Sequence, residues 1–214
     1  MRYLTPLEAR VLGVLVEKQA TVPDTYPLSL NALLAGCNQK TARSPVIEAT
    51  DAEVLTAVDG LKSLSLVFEG SGSRVVKFEH NAARVLGVPS AAVAILAVLM
   101  LRGPQTAAEL RLNCERLHRF ADISSVEGFL DEMADKEPPK VVKLPRGPGE
   151  RESRWAQLLC GEVTVSAYPG VASGPESVGA GEIAALKAEL ARQGAQIEAL
   201  QSLLQRLVTE LGLP

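Results

Sequence analysis

The stretch Val11-Leu12-Gly13-Val14-Leu15 returns later as Ile95-Leu96-Ala97-Val98-Leu99, and the segments after each copy run in the same order. Thr5-Pro6 with Glu8 opens the first copy as a capping box with Pro at the first helical position. Leu7, Val11, Leu12, Val14 and Leu15 make one apolar face of that helix. A second helix starts at Ser29 and carries Leu30, Leu33, Leu34 and Cys37. A third starts at Asp51, capped by Thr50 or Asp51, with Val54, Leu55, Val58, Leu61 and Leu64 inward. Leu66-Val67-Phe68, a turn over residues 69–74, and Val75-Val76-Lys77-Phe78 read as a β-hairpin.

Around the second copy, Thr106 caps a second helix in which Cys114 falls where Cys37 fell. Ser124 or Ser125 caps a third, with Val126, Phe129, Leu130 and Met133 inward. Val141-Val142-Lys143-Leu144, a loop over residues 145–152, and residues 154–159 form another hairpin. Helix, helix, helix, hairpin, twice over, is the order of two winged-helix modules, at residues 1–80 and 89–160 with a connector at 81–88. The expected class is mainly α with small β-hairpin wings (α+β): two tandem winged-helix modules plus a C-terminal coiled-coil helix. Aromatics are only 4% of the chain, which favours Leu-, Val- and Ala-packed helices over a sandwich or barrel.

Residues 161–181 are rich in Gly, Ser, Pro and Ala and read as a flexible linker. Beyond it, in residues 182–212, Ile183, Leu186, Leu190, Gln193, Ile197, Leu200, Leu204, Leu207 and Leu211 alternate spacings of three and four. That is a heptad seam with Ile or Leu at a and mostly Leu at d, leaning toward a parallel homodimer. An amphipathic helix folded back on the body is the other reading of the same spacing.

Net charge is −3, and its distribution says more: residues 1–160 hold 19 basic and 19 acidic side chains, so the deficit lies in the tail. A neutral body has no large single-sign field, and any nucleic-acid binding must come from a local patch. Three widely separated cysteines without a CxxC pair argue against a disulfide framework or zinc site, and no cofactor or metal is expected. The start, MRYLTPLEAR, lacks a signal peptide's basic and apolar regions. The longest apolar run, residues 91–101, is too short for a bilayer, so the expectation is a cytoplasmic protein with no membrane partner.

Two regions resemble a known family. They are Leu4-Thr5-Pro6-Leu7-Glu8-Ala9-Arg10-Val11-Leu12-Gly13, with Tyr26-Pro27-Leu28-Ser29-Leu30-Asn31-Ala32-Leu33 and Cys37-Asn38-Gln39-Lys40, and then residues 144–155, LPRGPGERESRW. Together they resemble the YceH family of bacterial proteins, whose biochemical role is not established. The resemblance covers residues 3–160 and implies the tandem winged-helix fold. Arg146, Arg151 and Arg154 fit that family's wing motif. The chain departs from the pattern at Trp155, where Tyr is more frequent, and at Gln157, where His is usual, so a role for that His would not carry over.

In a DNA-binding winged helix the third helix enters the major groove and the wing touches the backbone or minor groove. Here the third helices are acidic: Asp51, Glu53 and Asp59 against Lys62, then Glu127, Asp131, Glu132, Asp135 and Glu137 against Lys136. Phosphates repel such a face. The candidate DNA-binding residues therefore lie elsewhere: Lys40 and Arg43 after the second helix, Arg111, Arg116 and Arg119 in the second module, and Lys143, Arg146, Arg151 and Arg154 in its wing. The plain alternatives are a solvated loop with Asn38 as helix cap, and wing arginines paired to Glu150 and Glu152. Cys37 and Cys114 read as core fillers, Trp155 as core beneath the wing, and no catalytic set stands out.

The pattern as a whole implies a dimeric, non-enzymatic DNA-binding protein, with transcriptional regulation as its expected role. Ile183, Leu186, Leu190, Ile197, Leu200, Leu204, Leu207 and Leu211 would form the dimer seam. The alternative is a protein-interaction scaffold that turns its acidic helices to a basic partner, similar in architecture to the condensin accessory subunit ScpB.

Overall fold

The structure is a computed structural model that describes residues 2–70, 75–147 and 150–163. The linker beyond residue 163 and the heptad seam lie outside the described residues. Helix α1 (Pro6–Thr21) starts where Thr5 and Glu8 close their capping box. β1 (Leu28–Ser29) leads directly into α2 (Leu30–Cys37), and α3 (Asp51–Ser63) opens on a second capping box, Thr50 with Glu53. β2 (Val67–Gly70) and β3 (Lys77–His80) pair antiparallel, Val67 opposite His80. A short helix, α4 (Ala82–Leu86), occupies the expected connector and ends on Gly87 at φ 64°.

The second half repeats the order. It runs α5 (Ser90–Arg102), α6 (Ala107–Asn113), α7 (Ile123–Ala134), β4 (Val141–Lys143) and β5 (Trp155–Gln157), with Val141 opposite Gln157. A third capping box, Thr106 with Glu109, opens α6. The fold is thus helical with two small antiparallel sheets.

One shared feature was not read from sequence. β1 joins the first sheet beside β3, giving the order β1-β3-β2. Its counterpart is a single bridge, Gln105 with Trp155, whose backbones exchange hydrogen bonds of 3.0 and 2.7 Å. In both halves the residues just before the second helix pair with the hairpin's returning strand. Two residues, or one, are too short for an alternating pattern to reveal.

Four local expectations shift. Asp122, not Ser124 or Ser125, caps α7: its carboxylate accepts the Ser125 N–H at 2.7 Å and the Ser125 hydroxyl at 2.6 Å. Leu55 is exposed, and Ala57 takes the inward position on α3. The first returning strand is Lys77–His80, which leaves Val75 and Val76 exposed before it. In the second hairpin β5 is confined to Trp155–Gln157.

A single apolar cluster runs through both halves, including Leu12, Leu15 and Leu61 from the first and Ile95, Leu99 and Leu130 from the second. α1 and α5 meet at the small positions of the two copies. A Cβ on Gly13 would lie 2.9 Å from Leu101 Cγ and 3.4 Å from the backbone oxygen of Ala97, the residue matching Gly13 in the second copy. Only a missing side chain allows that approach. Backbone hydrogen bonds also cross between the halves, from Leu4 N–H to Leu159 O at 2.7 Å and from Ser44 N–H to Leu101 O at 2.8 Å.

Candidate nucleic-acid interface

The loop between α2 and α3 is built from the inside. Asn38, the C-cap of α2, holds Ala49 from both sides: its amide donates to Ala49 O and its carbonyl accepts the Ala49 N–H, each at 2.8 Å. Arg43 is buried. Its Nη2 and Nη1 reach the two carboxylate oxygens of Glu17 on α1 at 2.6 and 3.1 Å, and its Nε donates to Gly36 O at 3.1 Å. Burial pushes the Glu17 carboxyl up, but the Arg43 hydrogen bonds and charge outweigh it and hold the group below its ordinary value. Arg10 lies in the same interior, donating to Cys37 O at 3.0 Å and Pro45 O at 2.6 Å. Of the two cations expected to face DNA from this loop, Lys40 is exposed and Arg43 points inward.

In the second half, α6 ends at Asn113 and the chain turns through residues 114–122 before α7. Arg111 is half-buried and donates to Ala121 O at 3.2 Å, which ties this turn to α6. Arg116 and Arg119 are exposed and make no ion pair among the described residues. Arg111 and Arg119 share one small hollow of about 80 Å³ with Glu115.

The second hairpin divides its cations by role. Arg154 is a brace, with Nη1 on Glu109 at 2.9 Å and Nε on Glu150 at 3.0 Å. Glu150 also accepts the Gly147 N–H at 3.1 Å, and these partners keep its carboxyl below the usual range. Lys143 is exposed and stands over the buried Trp155 ring, 5.4 Å from its centroid. Arg146 and Arg151 are exposed and have no ion pair among the described residues. Of the interleaved glutamates Glu150 pairs with Arg154, while Glu152 has no ion pair among the described residues.

The third helices present acid. Glu127, Asp131 and Glu132 on α7 and its C-cap Asp135 are exposed, and among the described residues only Glu132 of these reaches a cation, Lys136 at 3.7 Å. Among the described residues no cluster of three His, Cys, Asp or Glu could hold a metal ion, and no helix is long and apolar enough to cross a membrane. Cys37 and Cys114 are fully buried, and burial pushes their thiols up to about 11 and about 12.

Residues 4–150 match the family model described as "Protein of unknown function, DUF480". The chain belongs to the DUF480 family. It is 66% identical over 214 residues to a UPF0502 protein of Burkholderia multivorans, covering 100% of this chain and 91% of that one. It is 67% identical to a UPF0502 protein of Leptothrix cholodnii, covering 99% and 96%. The DUF480 match spans both halves, including the loop braced by Arg43 and the start of the second hairpin.

Sequence reasoning passed over two interior residues of this DUF480 chain, Glu17 and Arg10. Glu17 carried no motif; its signal was a carboxylate directly after the apolar run Val14-Leu15-Val16. Arg10 sits among Ala9, Val11 and Leu12 on that helix, where a cation at an apolar position is itself the clue.

Proposed function

We propose that this protein is a dimeric tandem winged-helix DNA-binding protein, acting as a transcriptional regulator, that grips the phosphate backbone through its second hairpin and the turn after α6. The observation that carries this reading is the set of exposed cations that have no ion pair among the described residues, Arg116, Arg119, Lys143, Arg146 and Arg151, within one half. The matching topology of the two halves supports the winged-helix assignment, and Lys40 adds one cation from the first half. Acid on α7 makes that helix a poor reader of bases, so binding is dominated by phosphate and tolerant of sequence. The heptad seam from Ile183 to Leu211 pairs two chains and doubles the phosphates engaged.

The test is fluorescence anisotropy of the full chain with mixed-sequence duplex DNA across a salt series. Five phosphate contacts per chain give a log–log slope of about −4.5 per protomer. Removing Arg146 and Arg151 together lowers the slope by about 2. No binding at low salt, or a slope unchanged by that double substitution, refutes the reading.

One observation favours a second reading, a scaffold for a basic protein. Glu127 and Asp131 on α7 and its C-cap Asp135 are exposed without a cationic partner among the described residues. Ile123, at the start of that helix, is 44% exposed beside them in sequence. Capture of a basic partner that Asp131→Lys abolishes, with DNA binding absent, would establish it.

A further inference from the structure

Arg10 is a buried cation short of a counter-ion. It is 3% exposed, and among the described residues its Nη1 and Nη2 donate only to the Cys37 and Pro45 carbonyls. Its Nε is buried with no hydrogen-bond partner, and no carboxylate pairs with it among the described residues. The charged neighbour that weighs on it is another cation, Arg43, whose own carboxylate, Glu17, is already engaged. A buried charge left in this state is costly unless something pairs with it.

Arg10 also lines a groove of about 390 Å³. Leu7 and Ala9 from α1, Pro45 and Ile47 from the loop before α3, and Leu99 and Met100 from α5 line it. That volume falls within the range of small-molecule sites, as does the makeup: mostly apolar, with few polar groups. Glu48 and Glu53 line the groove as exposed side chains, whereas Arg10 is buried, so the cation lies deep and the carboxylates lie outside it. Glu53 is occupied in the Thr50 capping box. Glu48 has no ion pair among the described residues.

We infer that this groove binds a small molecule with an apolar body and a single carboxylate, the carboxylate paired to Arg10 and the body between Ile47, Leu99 and Met100. The two outer glutamates repel a second negative charge, so dicarboxylates and nucleic-acid phosphates are disfavoured there. The site is separate from the cations of the second hairpin, and the inference stands whether or not the protein binds DNA.

Cys160 also lines the groove and supplies a reporter. It is partly exposed, whereas Cys37 and Cys114 are fully buried. The experiment uses the full chain and follows alkylation of Cys160 by iodoacetamide by mass spectrometry. The probes are hexanoate and octanoate, with 1-hexanol, 1-octanol and butanedioate as comparators, alongside the Arg10 Nε–H resonance. Hexanoate and octanoate are expected to slow alkylation saturably, with half-effects below about 10 mM, and to shift the Arg10 resonance. The alcohols and butanedioate are expected to do neither. Arg10→Gln should erase the difference between acid and alcohol. Should that variant fail to fold, Ile47→Trp fills the groove from its half-buried wall and should abolish protection while circular dichroism stays unchanged. Equal protection by acids and alcohols, no protection by either acid, or protection that survives in folded Ile47→Trp would each overturn the inference.

Discussion

Glu17→Ala tests whether Arg43 is a brace or a DNA contact. In the native fold the Arg43 side chain has no exposed surface and the Glu17 side chain is 15% exposed. Removing Glu17 leaves a fully buried guanidinium facing carbonyls of Gly36 and Ala42 without a counter-ion. Breaking a buried pair from one side costs about 3–5 kcal/mol. Water can reach Glu17 in part, which puts the expectation near the lower end, about 3 kcal/mol. For a chain of this size that is a melting temperature lower by about 10 °C. Arg43→Lys keeps a positive charge but not the two-pronged match to the carboxylate or the Nε donor to Gly36 O, so it should also destabilise. Glu17→Leu with Arg43→Met removes both charges and should be less destabilised than Glu17→Ala alone. Urea unfolding of the three variants, followed by circular dichroism, gives the cycle, and anisotropy on folded Arg43→Lys should show unchanged DNA affinity. A cost below about 1 kcal/mol for Glu17→Ala would mean that Arg43 is effectively hydrated. The brace argument would then fail.

Gly13→Val should cost several kcal/mol, about 3 or more, because even a Cβ there meets Leu101 Cγ at 2.9 Å; chemical denaturation showing a loss below about 1 kcal/mol would contradict the close helix approach. His80 should give a stability loss on acidification: burial lowers its pKa from 6.5 to about 4, while Nε2 lies 2.8 Å from Gln19 Oε1 and Nδ1 accepts the Ala82 N–H at 3.4 Å. The unfolded chain then takes up the proton first, so stability is full above pH 6.5 and falls toward pH 4 by up to about 3 kcal/mol. His80→Gln should flatten that limb of a urea-midpoint series, and an equally steep limb in the variant would assign it to other groups. Leu200→Asp with Leu204→Asp should convert a dimer to a monomer in light scattering without altering the melting of the body; a wild-type monomer would remove the seam from the proposal.

The helices of the body were legible because each carries its own signal. The Thr5–Glu8 box marks α1, Thr106 marks α6, and α5 shows as the unbroken apolar run from Ala91 to Leu101, buried throughout. The strands that pair just before α2 and α6 were not legible, because Leu28–Ser29 and Gln105 are specified by a distant partner strand and not by local alternation. Asp122 was passed over because two serines lie just after it, and all three can cap a helix; the extended backbone at Asp122 decided between them. On the candidate site, the sequence named the cations but could not say which were free. That depends on carboxylates far away in the chain, Glu17 for Arg43 and Glu109 for Arg154.

The same sorting bears on how the molecule would hold DNA. Arg154 pins the base of the second hairpin to the start of α6, and Glu150 closes the loop onto Gly147 and Arg154. Lys143 rests over Trp155, whose backbone is bonded to Gln105 at the entrance to that helix. The hairpin's base is therefore tied to the helical layer by side-chain and backbone bonds, while Arg146 and Arg151 extend from it without partners among the described residues. A braced stem carrying unpaired guanidinium groups suits recognition of a charged backbone, since the ordering cost of the stem is met in folding and not in binding. Replacing Arg154 would then weaken DNA binding indirectly, by loosening Arg146 and Arg151. Its salt slope would change less than when those two arginines are themselves removed.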